Sequence, residues 1–168
     1  KKKKKIKVSF IFDSKNNWLK KYIKKTTFKK YENKYQFFFA ENYKIVKNND
    51  IVFILGFTKK IDKKFLIRNK LNLIIHESQL PKGKGFSPVQ WQILDNKKKI
   101  PVCIIKATEK IDSGEIVMTS SITLTGFELY EEIRLKQAKT TKTLIKNFLD
   151  KYPNLKFIKQ KGKETFYK

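Results

Sequence analysis

Ile51-Val52-Phe53-Ile54-Leu55 is an unbroken apolar run between Asp50 and Gly56, and Leu73-Ile74-Ile75 repeats the pattern just before His76. A membrane span needs roughly 20 apolar residues, so runs this short, rich in β-branched and aromatic side chains, read as strands buried on both faces of a parallel sheet. Strand-like and helix-like segments alternate around them. Lys5 to Phe12 alternates and then turns apolar, and Asp13-Ser14 offers a cap for a helix to about Lys25. Tyr35 to Ala40 and Asp50 to Leu55 read as strands, Lys59 to Asn69 as a short helix, and Leu71 to Ser78 as another strand. Strands alternating with helices predict an α/β fold on a mostly parallel sheet.

The second half opens with a turn-rich stretch, Leu80-Pro81-Lys82-Gly83-Lys84-Gly85-Phe86. Ser87-Pro88-Val89-Gln90 has the spacing of a capping box with Pro at the first helical position, which predicts a helix from Pro88 to about Leu94. Strands near Ile100 to Thr108 and Glu115 to Leu124 flank the turn Asp112-Ser113-Gly114. Thr125-Gly126-Phe127-Glu128 gives a second capping box. Phe127, Tyr130, Ile133, Ala138, Ile145 and Phe148 then recur at helical spacing, predicting a helix packed on the sheet until Tyr152-Pro153 stops it. Gln160 to Lys168 reads as a polar stretch with no closing element. No repeat or linker interrupts the chain, so residues 1–168 read as one domain.

Charge points to anionic partners without choosing one. The 168 residues carry 40 Lys+Arg against 15 Asp+Glu, a net +25, and residues 1–35 alone hold 14 lysines. Yet only Arg68 and Arg134 are arginines, whereas bidentate recognition of phosphate and guanine favours the guanidinium fork. A solvated basic surface with weak electrostatic affinity for nucleic acid is the expectation, rather than a dedicated nucleic-acid face. Lys1 to Lys5 before apolar residues imitates a secretory signal, but Lys7 interrupts the segment and Asp13 ends it without a cleavage pattern. The single Cys103 forms no internal disulfide, so a reducing, cytoplasmic compartment is expected, and no membrane association.

His76, the only histidine, stands at the end of an apolar strand and before a loop of Pro and Gly, the place where open α/β sheets bind ligands. Its plain alternative is a buried histidine with one hydrogen bond. Asp112 lies at another strand-to-turn junction, where an Asx turn before Gly114 is the plain reading. No second His and no Cys spacing completes a metal ligand set. Gly83-Lys84-Gly85 lacks the phosphate-loop pattern, and no GxGxxG follows the first strand. Phe37-Phe38-Phe39 reads as core rather than as a base-stacking platform.

Taken together, His76-Glu77-Ser78-Gln79-Leu80-Pro81, Gly83-Lys84-Gly85, Ser87-Pro88 and Ile111-Asp112-Ser113-Gly114-Glu115-Ile116 resemble the folate-dependent formyltransferase family, with 36 residues from His76 to Asp112. The resemblance implies a Rossmann-like, mostly parallel twisted sheet with helices on both faces, and 10-formyltetrahydrofolate as formyl donor. Ser87 to Trp91 and Gln160 to Tyr167 look most like the sugar N-formyltransferase branch, in which the last segment continues, so a chain truncated at its C-terminus is expected. One departure stands out: the family's Asn two residues before the His is Ile74 here, and Asn72 is four residues from His76.

By this resemblance His76 and Asp112 are the expected catalytic pair, with Ser78 in support. His76 would donate to the oxygen that gains charge or relay a proton, a task suited to the side chain that ordinarily titrates nearest neutrality. Asp112 would orient the imidazole and take up the proton of the attacking amine. Phe57, Lys60, Ile61, Glu109 and Ile111 are carried over as borders of the pterin, and Gly85 and Ser87 as contacts to the acceptor. The implied acceptor is a small-molecule amino sugar, nucleotide-linked and used in surface glycans, with a homodimer left open. Two other readings stay beside it: formylation of methionyl-tRNA, which the charge suits, and a non-catalytic basic binding module, which Ile74 suits.

Overall fold

The computed structural model of the chain describes residues 4–58 and 60–167. Three features of the sequence reading fall partly outside them: the opening lysine run (Lys1–Lys3), the start of the predicted 59–69 helix at Lys59, and the final Lys168. Six strands form one sheet in the order β2-β1-β3-β4-β6-β7. They are β1 (Ile6–Phe12), β2 (Tyr35–Ala40), β3 (Ile51–Leu55), β4 (Leu71–His76), β6 (Lys99–Lys106) and β7 (Ile116–Thr123). A two-residue pair, β5 (Lys84–Gly85) with β8 (Phe166–Tyr167), makes a second small sheet. The helices are α1 (Lys63–Leu66), α2 (Pro88–Leu94) and α3 (Tyr130–Lys151). β1 runs parallel to β2 and β3, and β3 parallel to β4, while β7 returns antiparallel to β6. The sheet is therefore mixed and mostly parallel, as the alternation predicts.

The chain divides into two compact units, one up to Ile74 with Ala107–Glu109, the other Ile75–Lys106 with the residues from Lys110 onward. In the first unit register explains why β1 and β3 are apolar throughout. Phe10 pairs in register with Phe39 of β2 and Phe53 of β3, and its ring stacks on theirs at 5.2 and 5.4 Å. Phe28 closes over the same face, 4.9 Å from the Phe10 ring. On the other face Ile11, Val52 and Ile54 pack with Val46, Ile61, Phe65 and Ala107. Both faces are thus covered, the condition under which a strand reads as a continuous apolar run. The Phe37-Phe38-Phe39 run alternates as a strand must: Phe37 is buried and Phe38 exposed.

Several local expectations are corrected. The stretch after Asp13 forms short 3-10 turns, Trp18–Lys21 and Lys25–Tyr31, and no α-helix. Asp13 is committed elsewhere: Oδ1 accepts from Lys15 N, and Oδ2 accepts from the Thr58 N–H at 2.9 Å and from its hydroxyl. Oδ1 thus closes a local Asx-type turn on Lys15, while Oδ2 ties that turn to Thr58, 45 residues away. The 59–69 helix contracts to α1, capped by Asp62, which accepts from Phe65 N at 2.7 Å. Ser87 makes no capping bond because it sits at φ 52°, although α2 runs over the expected Pro88–Leu94.

In the second unit, α3 buries Ala138, Thr141, Leu144, Ile145 and Phe148 at helical spacing and packs on β6 and β7. Phe127 and Tyr130, expected on that buried face, are exposed: Phe127 precedes the helix, and Tyr130 is in its first turn, before the buried stretch that begins at Gln137. Thr125 to Glu128 forms its own turn, in which the Glu128 carboxylate accepts from Thr125 N and Gly126 N. The C-terminal stretch, predicted to lack a closing element, ends in β8, parallel to β5. No helix among the described residues is long and apolar enough to cross a membrane.

Candidate functional site

β4 ends on His76, whose side chain is buried and makes two directed contacts. Nε2 lies 2.8 Å from Gly83 O. A carbonyl only accepts, so Nε2 is the protonated nitrogen. Nδ1 faces Asp112 Oδ2 at 3.6 Å, close enough for an ion pair once the ring takes a second proton. Asp112 Oδ2 also accepts from Gly85 N at 2.9 Å. One loop therefore holds both partners: Gly83 through its carbonyl fixes the imidazole, and Gly85 through its N–H fixes the carboxylate.

The turn that carries Asp112 is constrained as tightly. Asp112 has φ 46°, a left-handed conformation in which a non-glycine residue is strained. Gly114 must be glycine, since a Cβ there would lie 1.7 Å from Lys106 O. Ser113 Oγ donates to Ile111 O at 2.8 Å, and Gln160 Nε2 donates to both Asp112 O and Gly114 O at 2.8 Å.

Ser78 is buried just beyond the strand, and among the described residues its hydroxyl has no hydrogen-bond partner. Beside it Cys103 Sγ donates to His76 O at 3.4 Å. Burial, with Glu77 and Asp112 adding to it, pushes the Cys103 thiol up to about 12. At pH 8 a thiol of that kind holds so little thiolate that a disulfide-exchange reagent should modify it on the order of 10³-fold more slowly than a free thiol. The two kinetic traces, native and denatured, check this directly.

Glu77 is held by two glutamines. Its Oε1 accepts from Gln137 Nε2 at 3.2 Å, and its backbone O accepts from Gln92 Nε2 at 2.7 Å. Burial raises its carboxyl, against the pull of His76, the Gln137 hydrogen bond and Arg134.

The remaining expected residues divide between the units. Gly85 is in place, its N–H engaged by Asp112, while Ser87 is exposed. Ile111 stands beside Asp112 and is half-exposed. In the first unit, Phe57 packs edge-on to Tyr43 at 5.6 Å, Ile61 is buried, and Lys60 and Glu109 are exposed. The Ile74 side chain packs against the cluster of Ile11, Val52, Ile54 and Phe65, so an aliphatic group completes a core there. Asn72 is no substitute amide: Nδ2 donates to Leu66 O at 2.9 Å, and Oδ1 is buried without a partner among the described residues. Sequence reasoning missed Gln160 and the Lys84–Glu164 pair. Glycines on both sides of Lys84 are the one signal that could have singled it out.

A mostly parallel sheet thus carries, at the end of β4, a buried histidine facing an aspartate, both held by one glycine loop; His and Asp are residue types able to exchange protons. The family model described as formyl transferase matches residues 2–148. The methionyl-tRNA formyltransferase of Thermosipho melanesiensis is 30% identical over 129 residues, which is 75% of this chain and 42% of that relative. Among solved structures, methionyl-tRNA formyltransferase from Clostridium thermocellum superposes with a TM-score of 0.81 at 23% identity, covering 96% of this chain and 71% of the other. The formyltransferase PseJ from Anoxybacillus kamchatkensis, solved with UDP-4,6-dideoxy-4-formamido-L-AltNAc and tetrahydrofolate, gives a TM-score of 0.64 at 19% identity, covering 96% of this chain and 85% of that one. The chain belongs to the formyl transferase family. It spans about two fifths of the length of the curated relative it matches.

Proposed function

We propose that this chain is the catalytic domain of a folate-dependent N-formyltransferase whose acceptor is the amine of a nucleotide-linked amino sugar. The observation that carries the reading is the buried His76–Asp112 pair at the end of β4. A pterin border of Phe57, Lys60, Ile61, Glu109 and Ile111, an acceptor contact at Gly85 and Ser87, and a supporting Ser78 belong to the same proposal. PseJ, solved with tetrahydrofolate and a formamido sugar nucleotide, supports the donor and the acceptor class. The likeness of Ser87 to Trp91 and of Gln160 to Tyr167 to the sugar branch supports it from the sequence.

10-Formyltetrahydrofolate would supply the formyl carbon. As an amine forms its C–N bond to that carbon, the formyl oxygen would gain negative charge; on collapse the bond from that carbon to N10 would break, and tetrahydrofolate would leave with N10 gaining a proton to balance the one the amine loses. His76, turned by Gly83 so that Nδ1 faces Asp112, is set to carry a second proton. The resulting imidazolium offsets charge on the oxygen, and the Asp112 carboxylate offsets charge on the ring. Asp112 is also the group able to receive the amine proton, directly or through water. Asp112→Asn leaves the Gly85 hydrogen bond an acceptor but removes the charge, and should lower turnover at least about tenfold. Undiminished turnover in a folded variant would remove Asp112 from the chemistry.

Formylation of methionyl-tRNA is the second reading, favoured by the Thermosipho melanesiensis relative and by the net charge of +25. Mixing the protein with 10-formyltetrahydrofolate and each acceptor in turn separates the two. A formamide formed on a nucleotide-linked amino sugar is the expected product; transfer to methionyl-tRNA alone would overturn the sugar reading.

A further inference from the structure

We propose that residues 158–167 form a strap that positions the His76–Asp112 pair, with Lys84, Glu164 and Gln160 as its positioning residues. Calling that pair catalytic rests on the function proposed above; the strap lies beyond the stretch matched to the family, which ends at residue 148.

The strap is stitched to the rest of the second unit at successive points. Ile158 exchanges backbone hydrogen bonds with Ile116 at 2.8 and 2.9 Å. Gln160 then clasps the Asp112 turn through the two carbonyls on either side of Ser113. Glu164 receives Lys84 Nζ at 2.9 Å and Lys110 Nζ at 3.0 Å. Thr165 meets the glycine loop three times: Gly83 N donates to its hydroxyl at 2.8 Å, Lys84 N donates to its carbonyl at 2.9 Å, and its own N–H donates to Pro81 O at 3.3 Å. Last, the Tyr167 ring stacks on Trp91 at 6.2 Å and 8°. Two glycines are shaped to this path. A Cβ on Gly83 would meet the Tyr167 ring at 2.6 Å, and one on Gly85 would meet Tyr167 O at 2.6 Å.

Lys84 is the centre of the device. Its side chain is 1% exposed, and Nζ donates to Ser113 Oγ at 2.8 Å and to Glu164 Oε1 at 2.9 Å. An ammonium this deep is tolerated only while it is paired, because removing one partner strands an uncompensated charge. Lys84 lies between Gly83, which binds the imidazole, and Gly85, which binds the Asp112 carboxylate, and Ser113 adjoins Asp112 itself. If the cation shifts to reach water, both hydrogen bonds that orient the pair shift with it. Glu164 therefore acts on the pair without touching it.

The single histidine makes the test site-specific. In ¹⁵N-labelled protein, exchange of the His76 Nε2–H and the Gly85 N–H with solvent is read by NMR in the parent, in Glu164→Gln, in Gln160→Ala and in the exposed neighbour control Lys163→Ala. Protection at both protons should fall tenfold or more in Glu164→Gln and Gln160→Ala, with the β6 amides of Val102 and Ile104 unchanged and the control like the parent. Turnover should fall through kcat with little change in KM. Unchanged protection at His76 and Gly85 in either folded variant overturns the proposal, as does a loss shared equally by the β6 amides. Should Glu164→Gln fail to fold, Gln160→Ala decides. The exchange readout needs no substrate, so a parent without formyl transfer would refute the proposed function and leave the result on the strap standing.

Discussion

His76→Ala should lower formyl transfer by about 10²- to 10⁴-fold, the span covered by losing a positioned acid-base group. The expectation follows from what the ring alone supplies. Nε2–H is held by Gly83 O, and Nδ1 faces the Asp112 carboxylate, whose hydrogen bond from Gly85 comes from a backbone amide that does not take up a proton in place of the ring. Ser78 has a buried hydroxyl close by in sequence, but a hydroxyl does not carry positive charge near neutral pH. The fold should survive the change. The replacement leaves the Gly83 carbonyl without its donor, a cost of about 1–3 kcal/mol. A rate within tenfold of the parent, measured on protein with an unaltered circular dichroism spectrum, would remove His76 from the mechanism.

The largest effect on stability should come from Phe10→Ala. Phe10 is fully buried and its ring stacks on those of Phe28, Phe37, Phe39 and Phe53, with centroids from 4.9 to 6.1 Å away. Truncation removes the centre of that stack and leaves a cavity bounded by rings that belong to β2, β3 and the Lys25–Tyr31 turn. Such substitutions cost about 3–5 kcal/mol, a large part of the 5–15 kcal/mol that typically separates folded from unfolded states. Urea denaturation followed by far-ultraviolet circular dichroism measures it. A loss below about 1 kcal/mol would mean that this face of the sheet is not packed as described.

The strands were legible because the signal that makes them is local. Tyr35–Ala40 is aromatic at four of its six positions and Ile51–Leu55 is apolar at every position, and each is a strand over nearly the expected residues. α2 was legible for a similar reason: Pro88 sets the first helical φ, even though Ser87 does not cap it. The segment after Asp13 was misread because its carboxylate binds Thr58, 45 residues away, and no pattern within a window of residues 13–25 encodes that.

The candidate site divides in the same way. His76, Ser78, Gly85 and Asp112 lie within segments whose residue types and order carry the family likeness, and the structure brings His76, Asp112 and Gly85 together. The stretch from Gln160 to Tyr167 carries a family likeness, but the contacts of Glu164 and Gln160 were not legible because their partners are 80 and 48 residues distant. Ile74 was seen as a departure, but only packing explains it: the side chain belongs to the core beneath β3 and β4, so the position serves folding.

Calorimetric titration with a stable analogue of 10-formyltetrahydrofolate at moderate salt tests the central claim most directly. The account predicts saturable binding to the parent protein that is perturbed in His76→Ala or Asp112→Asn. No heat of binding to a fully folded protein would contradict it.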